Sequence, residues 1–275
     1  MAALNVLTFG ASRNIGYFAA VRLLEKGATV TFLLRSLAVF DEDTLIQGYV
    51  KSGRVRLVKG DAANEADTRL AWDTAGVVDV VLFTVGTVPT FSIFKGMVFE
   101  PPNPTTQCMS AVLCTMPTYA GGHQPKFIAL SSIGLTPPAH AALPLLIKPL
   151  YAMLELPHRD KIGLERVLAH CSGRTWDDTT DGVARESIMG ENWTQREGLP
   201  APGTLKHVLV VRPAILTDGI CVADEVATKG KGKSYRASEQ ELGAYTISRK
   251  DVAHFLVDAI ARWNEFENKT INVGY

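Results

Sequence analysis

The chain has little of what marks several large protein classes. Its 275 residues include only four cysteines, Cys108, Cys114, Cys171 and Cys221, with no Cys-x-x-Cys pair. That spacing excludes a disulfide framework and a cysteine-built zinc site, and it implies a reducing compartment. None of the six histidines pairs with another at metal-ligand spacing, so no metal is expected. Charge of one sign is missing as well: 28 basic residues balance 28 acidic ones, leaving no global field to recruit nucleic acid or an anionic membrane. No stretch reaches the roughly 18 consecutive apolar residues of a bilayer span, and the amino terminus enters an apolar strand without a charged leader. A cytoplasmic protein is expected. Internal repeats and a Gly-x-Ser-x-Gly elbow are absent too, which excludes a solenoid and removes the usual hydrolase signature.

What the chain does have is apolar residues, 47% of the total, enough for one large α/β domain over 1–275. Strand-like runs at 4–9, 29–34, 55–58, 78–85, 126–130, 206–211 and 270–273 alternate with helical ones, beginning with 15–26 and ending with 250–263. This order predicts a doubly wound, mostly parallel sheet with helices on both faces, right-handed crossovers and a last strand at the sheet edge. Two segments break the alternation: the proline-rich apolar stretch 135–157 and the polar insertion 172–203, which carries Trp176 and Trp193. Together with 214–245 they are expected to build a small substrate-side lobe on the single domain.

The first strand runs into Phe9-Gly10-Ala11-Ser12-Arg13-Asn14-Ile15-Gly16 and then into an amphipathic helix. Without a Cβ at Gly10 and Gly16, backbone can approach a pyrophosphate, whose charge is met by free N–H groups and the dipole at the helix start. Asn14 stands where a third glycine is common and tolerates positive φ. This is the strand–turn–helix setting of a Rossmann dinucleotide site. The second strand ends at Arg35 and Ser36, where a carboxylate would accept from a free ribose 2′-hydroxyl. Arginine cannot accept, and with Arg13 it offers donors suited to a 2′-phosphate, so NADP(H) is the expected cofactor.

Nearly the whole chain resembles the short-chain dehydrogenase/reductases, in particular the atypical branch with NmrA-like proteins. The resemblance rests on Gly10 to Gly16, Arg35, Lys59-Gly60-Asp61-Ala62, Thr84-Val85-Gly86, Ser131-Ser132, Lys161 with Glu165, Val211-Arg212-Pro213 and the run 247–253. It implies that Asp61 and Ala62 lie at the adenine edge, Thr84, Val85 and Gly86 on the adenosine side, and Pro213 and Ile215 along the nicotinamide. It also implies that Ser132 orients a carbonyl while Lys161 holds the nicotinamide ribose, with Glu165 a bystander and Ser131 serving the backbone.

The family's tyrosine is missing, because four residues before Lys161 stands Pro157, which suits a helix start and has no proton to give. His158, three residues before Lys161, and Tyr151 are the substitute acids, the imidazole on the premise that it titrates near neutrality. The expected function is an NADP(H)-dependent oxidoreductase for a small, largely apolar carbonyl, enone or quinone, working as a monomer or homodimer without nucleic acid. The alternatives are a non-catalytic NADP(H)-sensing regulator of NmrA type and a redox-neutral isomerase or cyclase on a repurposed fold.

Overall fold

A computed structural model of the chain describes residues 3–86, 100–141, 154–230, 232 and 234–275, and the backbone alone of two short strands at 90–92 and 96–98. The strands are β1 (Asn5–Phe9), β2 (Thr29–Leu34), β3 (Val55–Lys59), β4 (Val80–Phe83), β5 (Thr90–Ser92), β6 (Gly96–Val98), β7 (Lys126–Leu130), β8 (Val208–Pro213), β9 (Ile215–Thr217), β10 (Arg236–Ser238), β11 (Thr246–Ser248) and β12 (Lys269–Gly274). The helices are α1 (Asn14–Glu25), α2 (Thr44–Lys51), α3 (Glu65–Ala75), α4 (Pro104–Cys114), α5 (Pro137–Ala141), α6 (Glu155–Ser172), α7 (Glu186–Met189), α8 (Val222–Lys229), α9 (Arg249–Ala261) and α10 (Trp263–Phe266).

Eight strands form one sheet in the order β10-β12-β8-β7-β4-β1-β2-β3, parallel throughout except for the β10–β12 pair. β4 and β8 are buried along their whole length, as continuous apolar runs must be when helices cover both faces. On one face α1 and α9 bury Leu23 and Phe255 against Val30, Leu82 and Leu209. On the other, α3, α4 and α6 bury Trp72, Met109 and Leu164 against Phe9, Phe83 and Phe127. The doubly wound Rossmann expectation holds. Its details change in two places: the run at 78–85 is a strand only over Val80–Phe83, and the last strand is not the edge, because β10 pairs outside it.

Strand order reverses between β1 and β4, whose carboxyl ends open the crevice where ligands of such sheets bind. The helices walling it are tied together by a borrowed cap. Asp160 of α6 accepts from Thr105 N and Thr106 N at 2.9 Å each, filling the donors that open α4. The insertion 172–203 runs along the outer faces of these helices. Asn103 donates to Ile188 O at 2.6 Å, Arg196 pairs with Glu65, and Trp193 meets His170 edge to face. Of the stretch 135–157, residues 142–153 lie outside the described residues.

Candidate functional site

The glycine turn is shaped as the sequence predicts. Gly10 has φ +83°, and a Cβ there would stand 2.5 Å from Val85 N and 2.7 Å from the Thr84 carbonyl carbon. A Cβ on Gly16 would strike the Thr84 hydroxyl. The turn after β1 and the turn after β4 therefore close on each other only through hydrogen-sized side chains. Asn14 takes φ 55°, the left-handed region expected of it. Ile15 is buried, so its side chain belongs to the core and only its backbone faces the turn. Ser12 is half-buried, while Arg13 and Asn14 are exposed. Arg13 caps α1 without a side-chain hydrogen bond, and the first turn holds no acidic residue. A helix start with open donors, a cradle that any Cβ would fill and a positive rim fit a pyrophosphate.

At the next strand end the β1–β2 register pairs Phe9 with Leu33, so Arg35 and Ser36 leave β2 beside this turn. Both are exposed, and among the described residues neither Arg35 nor Arg13 has a side-chain hydrogen bond or ion pair. Asp61, exposed after β3, accepts from Ala63 N at 2.9 Å through Oδ1, while its own N–H donates to Asp67 at 2.8 Å. Ala62 and Val85 pack on the core beneath, and Gly86 is exposed. Thr84 spends its hydroxyl on Phe9 O at 3.2 Å.

Lys161 carries the other half of the site. From α6 its Nζ donates to Leu130 O at 2.7 Å and to Val85 O at 3.2 Å, bridging the carboxyl ends of β7 and β4. An ammonium has three donors, so one remains. Burial pulls this amine down to about 8, against the neighbouring Asp160 and Glu165 carboxylates, which hold its proton. Ser132, half-buried just beyond β7, donates to Ile133 O at 3.2 Å. Pro213 accepts from Ile133 N at 3.0 Å, and the half-buried Ile215 commits its N–H to Tyr245 O at 3.1 Å.

The premise that His158 titrates near neutrality fails. Burial, with lesser contributions from His140 and Lys161, pushes its imidazole down to about 4, so the ring is neutral at physiological pH. It can donate an N–H hydrogen bond there, but not the proton of an imidazolium. Tyr151 lies outside the described residues.

The roles expected of Glu165 and Ser131 are also corrected. Glu165 is 1% exposed and is no bystander. Arg212, from the buried β8, binds it through Nε–Oε1 at 2.9 Å and Nη2–Oε2 at 2.6 Å, and Ser131 donates to it at 2.5 Å. The signal was present in the sequence, since an arginine inside a fully apolar strand needs a buried acid as partner. A groove of about 430 Å³ lies between α6 and strands β8 and β12, lined by Leu168, Ala169, Val208, Val210 and Thr270. It sits toward the amino ends of those strands, away from the glycine turn, and is not the candidate site.

No family model matches the chain. Over 157 residues, 55% of this chain, it is 29% identical to the reductase pytE of Aspergillus terreus. The match spans about half of that relative's length, 48%. Among solved structures, ChuY, an anaerobillin reductase from Escherichia coli O157:H7, superposes with TM-score 0.60 at 15% identity, over 98% of this chain and 96% of that one. A Rossmann-fold NAD(P)-binding family protein from Shigella flexneri gives TM-score 0.54 at 16% identity, over 98% and 93%. These structures share the chain's Rossmann fold, and over about half its length the chain is similar to a reductase. No helix among the described residues is long and apolar enough to cross a membrane.

Proposed function

Starting from a reductase-like chain on an NAD(P)-binding Rossmann fold, we propose an NADP(H)-dependent oxidoreductase that acts on a small, largely apolar carbonyl, enone or quinone. The observation that carries the cofactor choice is Arg35, an exposed guanidinium with no side-chain partner among the described residues, leaving β2 beside a glycine cradle with a second such arginine at its rim. A dianionic 2′-phosphate satisfies both cations, whereas a ribose hydroxyl satisfies neither.

When bound, the reduced nicotinamide supplies the hydride. Gly10, Ser12, Asn14, Ile15 and Gly16 present backbone to the pyrophosphate, and Asp61 with Ala62 borders the adenine. Lys161 gives its remaining donor to the nicotinamide ribose. Pro213 and Ile215 form the wall behind the ring. Ser132 and the neutral His158 N–H point a substrate oxygen at the site, and Tyr151 is the candidate for the proton that His158 does not carry. The site lies in a monomer or homodimer, in a reducing compartment consistent with four buried thiols, and the cytoplasm is the proposed location.

Pro157 in the register of the family's tyrosine, together with the neutral His158, also favours a second reading, a non-catalytic NADP(H) sensor. Tryptophan fluorescence titration with NADPH and NADH, followed by the absorbance of reduced cofactor with a carbonyl and quinone panel, separates the two. Preference for NADPH with consumption supports the oxidoreductase, and preference without consumption supports the sensor. Equal affinity for both cofactors would falsify the 2′-phosphate assignment.

A further inference from the structure

Glu165 holds two polar partners, and neither is the cation one turn before it. Arg212 and Ser131 grip its carboxylate from the ends of β8 and β7, which are themselves joined there by Ser131 N donating to Val211 O at 2.7 Å. Lys161, four residues earlier and so on the same face of α6, is pinned to β4 and β7 through the carbonyls of Val85 and Leu130. One turn of helix thus carries an amine and a carboxylate that share the end of β7, the amine reaching also to the end of β4 and the carboxylate to that of β8.

We infer that Glu165 is a positioning residue for Lys161: clamped by Arg212 and Ser131, it sets the place of the amine and the field under it. The consequence for ribose binding rests on the function proposed above, whereas the clamp and its effect on the amine belong to the chain alone. The charged and titratable groups around Lys161 are Asp160, Glu165 and His158 on its own helix, Arg212 from β8 acting through Glu165, His140 acting through His158, and Cys108 of α4 near Asp160. Among the described residues, Glu165 and Arg212 are the ones of this set that form an ion pair whose halves can be removed separately. Losing the carboxylate leaves the guanidinium unopposed and drives the amine's proton off. Losing the guanidinium leaves the carboxylate unopposed and holds that proton on.

The test uses the full chain with ¹³C-methylated lysines, the Lys161 resonance being assigned by its loss in Lys161→Arg and followed by NMR across pH. The wild-type midpoint is expected at about 8. Glu165→Gln should lower it and Arg212→Met should raise it, each by about one pH unit. Ser131→Ala, which keeps both charges, should move it least. Shifts of the same sign, or no shift in either charge variant, overturn the inference, because a generally loosened structure cannot produce opposite displacements. If Arg212→Met does not fold, Arg212→Lys keeps the charge and should stay near wild type, and an unmoved midpoint in Glu165→Gln alone then overturns the inference. Opposite shifts in a chain that fails to bind NADPH sink the cofactor reading and leave the clamp standing. NADPH binding with unmoved midpoints sinks the clamp alone.

Discussion

The two ends of the crevice handle charge in opposite ways. Around the carboxyl ends of β1, β2 and β3, Arg13, Arg35 and Asp61 are exposed, and the arginine side chains have no partner among the described residues. Around the ends of β7 and β8, Asp160, Lys161, Glu165 and Arg212 are drawn out of water and held by named partners at 2.6–3.2 Å. The exposed cations cost the fold almost nothing to keep and are available to a ligand's charge. The buried ones are committed to the protein, because each would be expensive without its partner. On the proposed function, the first end recognises the cofactor and the second aligns Lys161.

That contrast is most exposed to failure at Arg212. Replacing it with methionine strands Glu165 in the core and should cost about 3–5 kcal/mol of stability, read by chemical denaturation. Arg35→Asp should leave stability within about 0.5 kcal/mol while weakening NADPH roughly 10- to 100-fold and NADH little, as fluorescence titration would show. An Arg35→Asp chain that unfolds early, or an Arg212→Met chain as stable as wild type, would erase the distinction between the two ends.

The pH dependence sharpens it further. His158 has a folded value near 4 against an ordinary 6.5, so between those values the unfolded chain binds more protons. Stability should therefore fall as pH drops from 6.5 to 4, and His158→Gln should flatten that slope in thermal melts. The same sign applies to Lys161 between about 8 and 10.5, while NADPH affinity should weaken as pH rises past about 8 and the ammonium is lost. The smallest effect belongs to the exposed pair Lys229–Glu225 of α8. Lys229→Ala should change stability by less than about 0.5 kcal/mol.

The recognising end was legible in the sequence because its chemistry is local. Gly10, Asn14 and Gly16 act through backbone freedom within one turn, and Arg35 follows its strand directly, so spacing alone places them. The aligning end is assembled from residues 131, 161, 165 and 212, and only the sheet order β8-β7-β4 brings them together. The resemblance implied a bystander role for Glu165, whereas side chains at two strand ends, Ser131 and Arg212, claim its carboxylate. His158 was misjudged for a related reason: its titration depends on burial beneath neighbouring elements, which helical periodicity does not report. The sheet edge was misplaced because β10 has three residues and little apolar signal.

On the proposed function, the end at β1–β3 grips a phosphate on the adenosine ribose, and calorimetry with adenosine fragments measures that grip without reference to catalysis. Titrated into the full chain, 2′-phospho-AMP should bind roughly tenfold or more tightly than AMP, with the advantage shrinking as salt rises. Equal affinity for the two fragments, or a preference for AMP, would contradict the account.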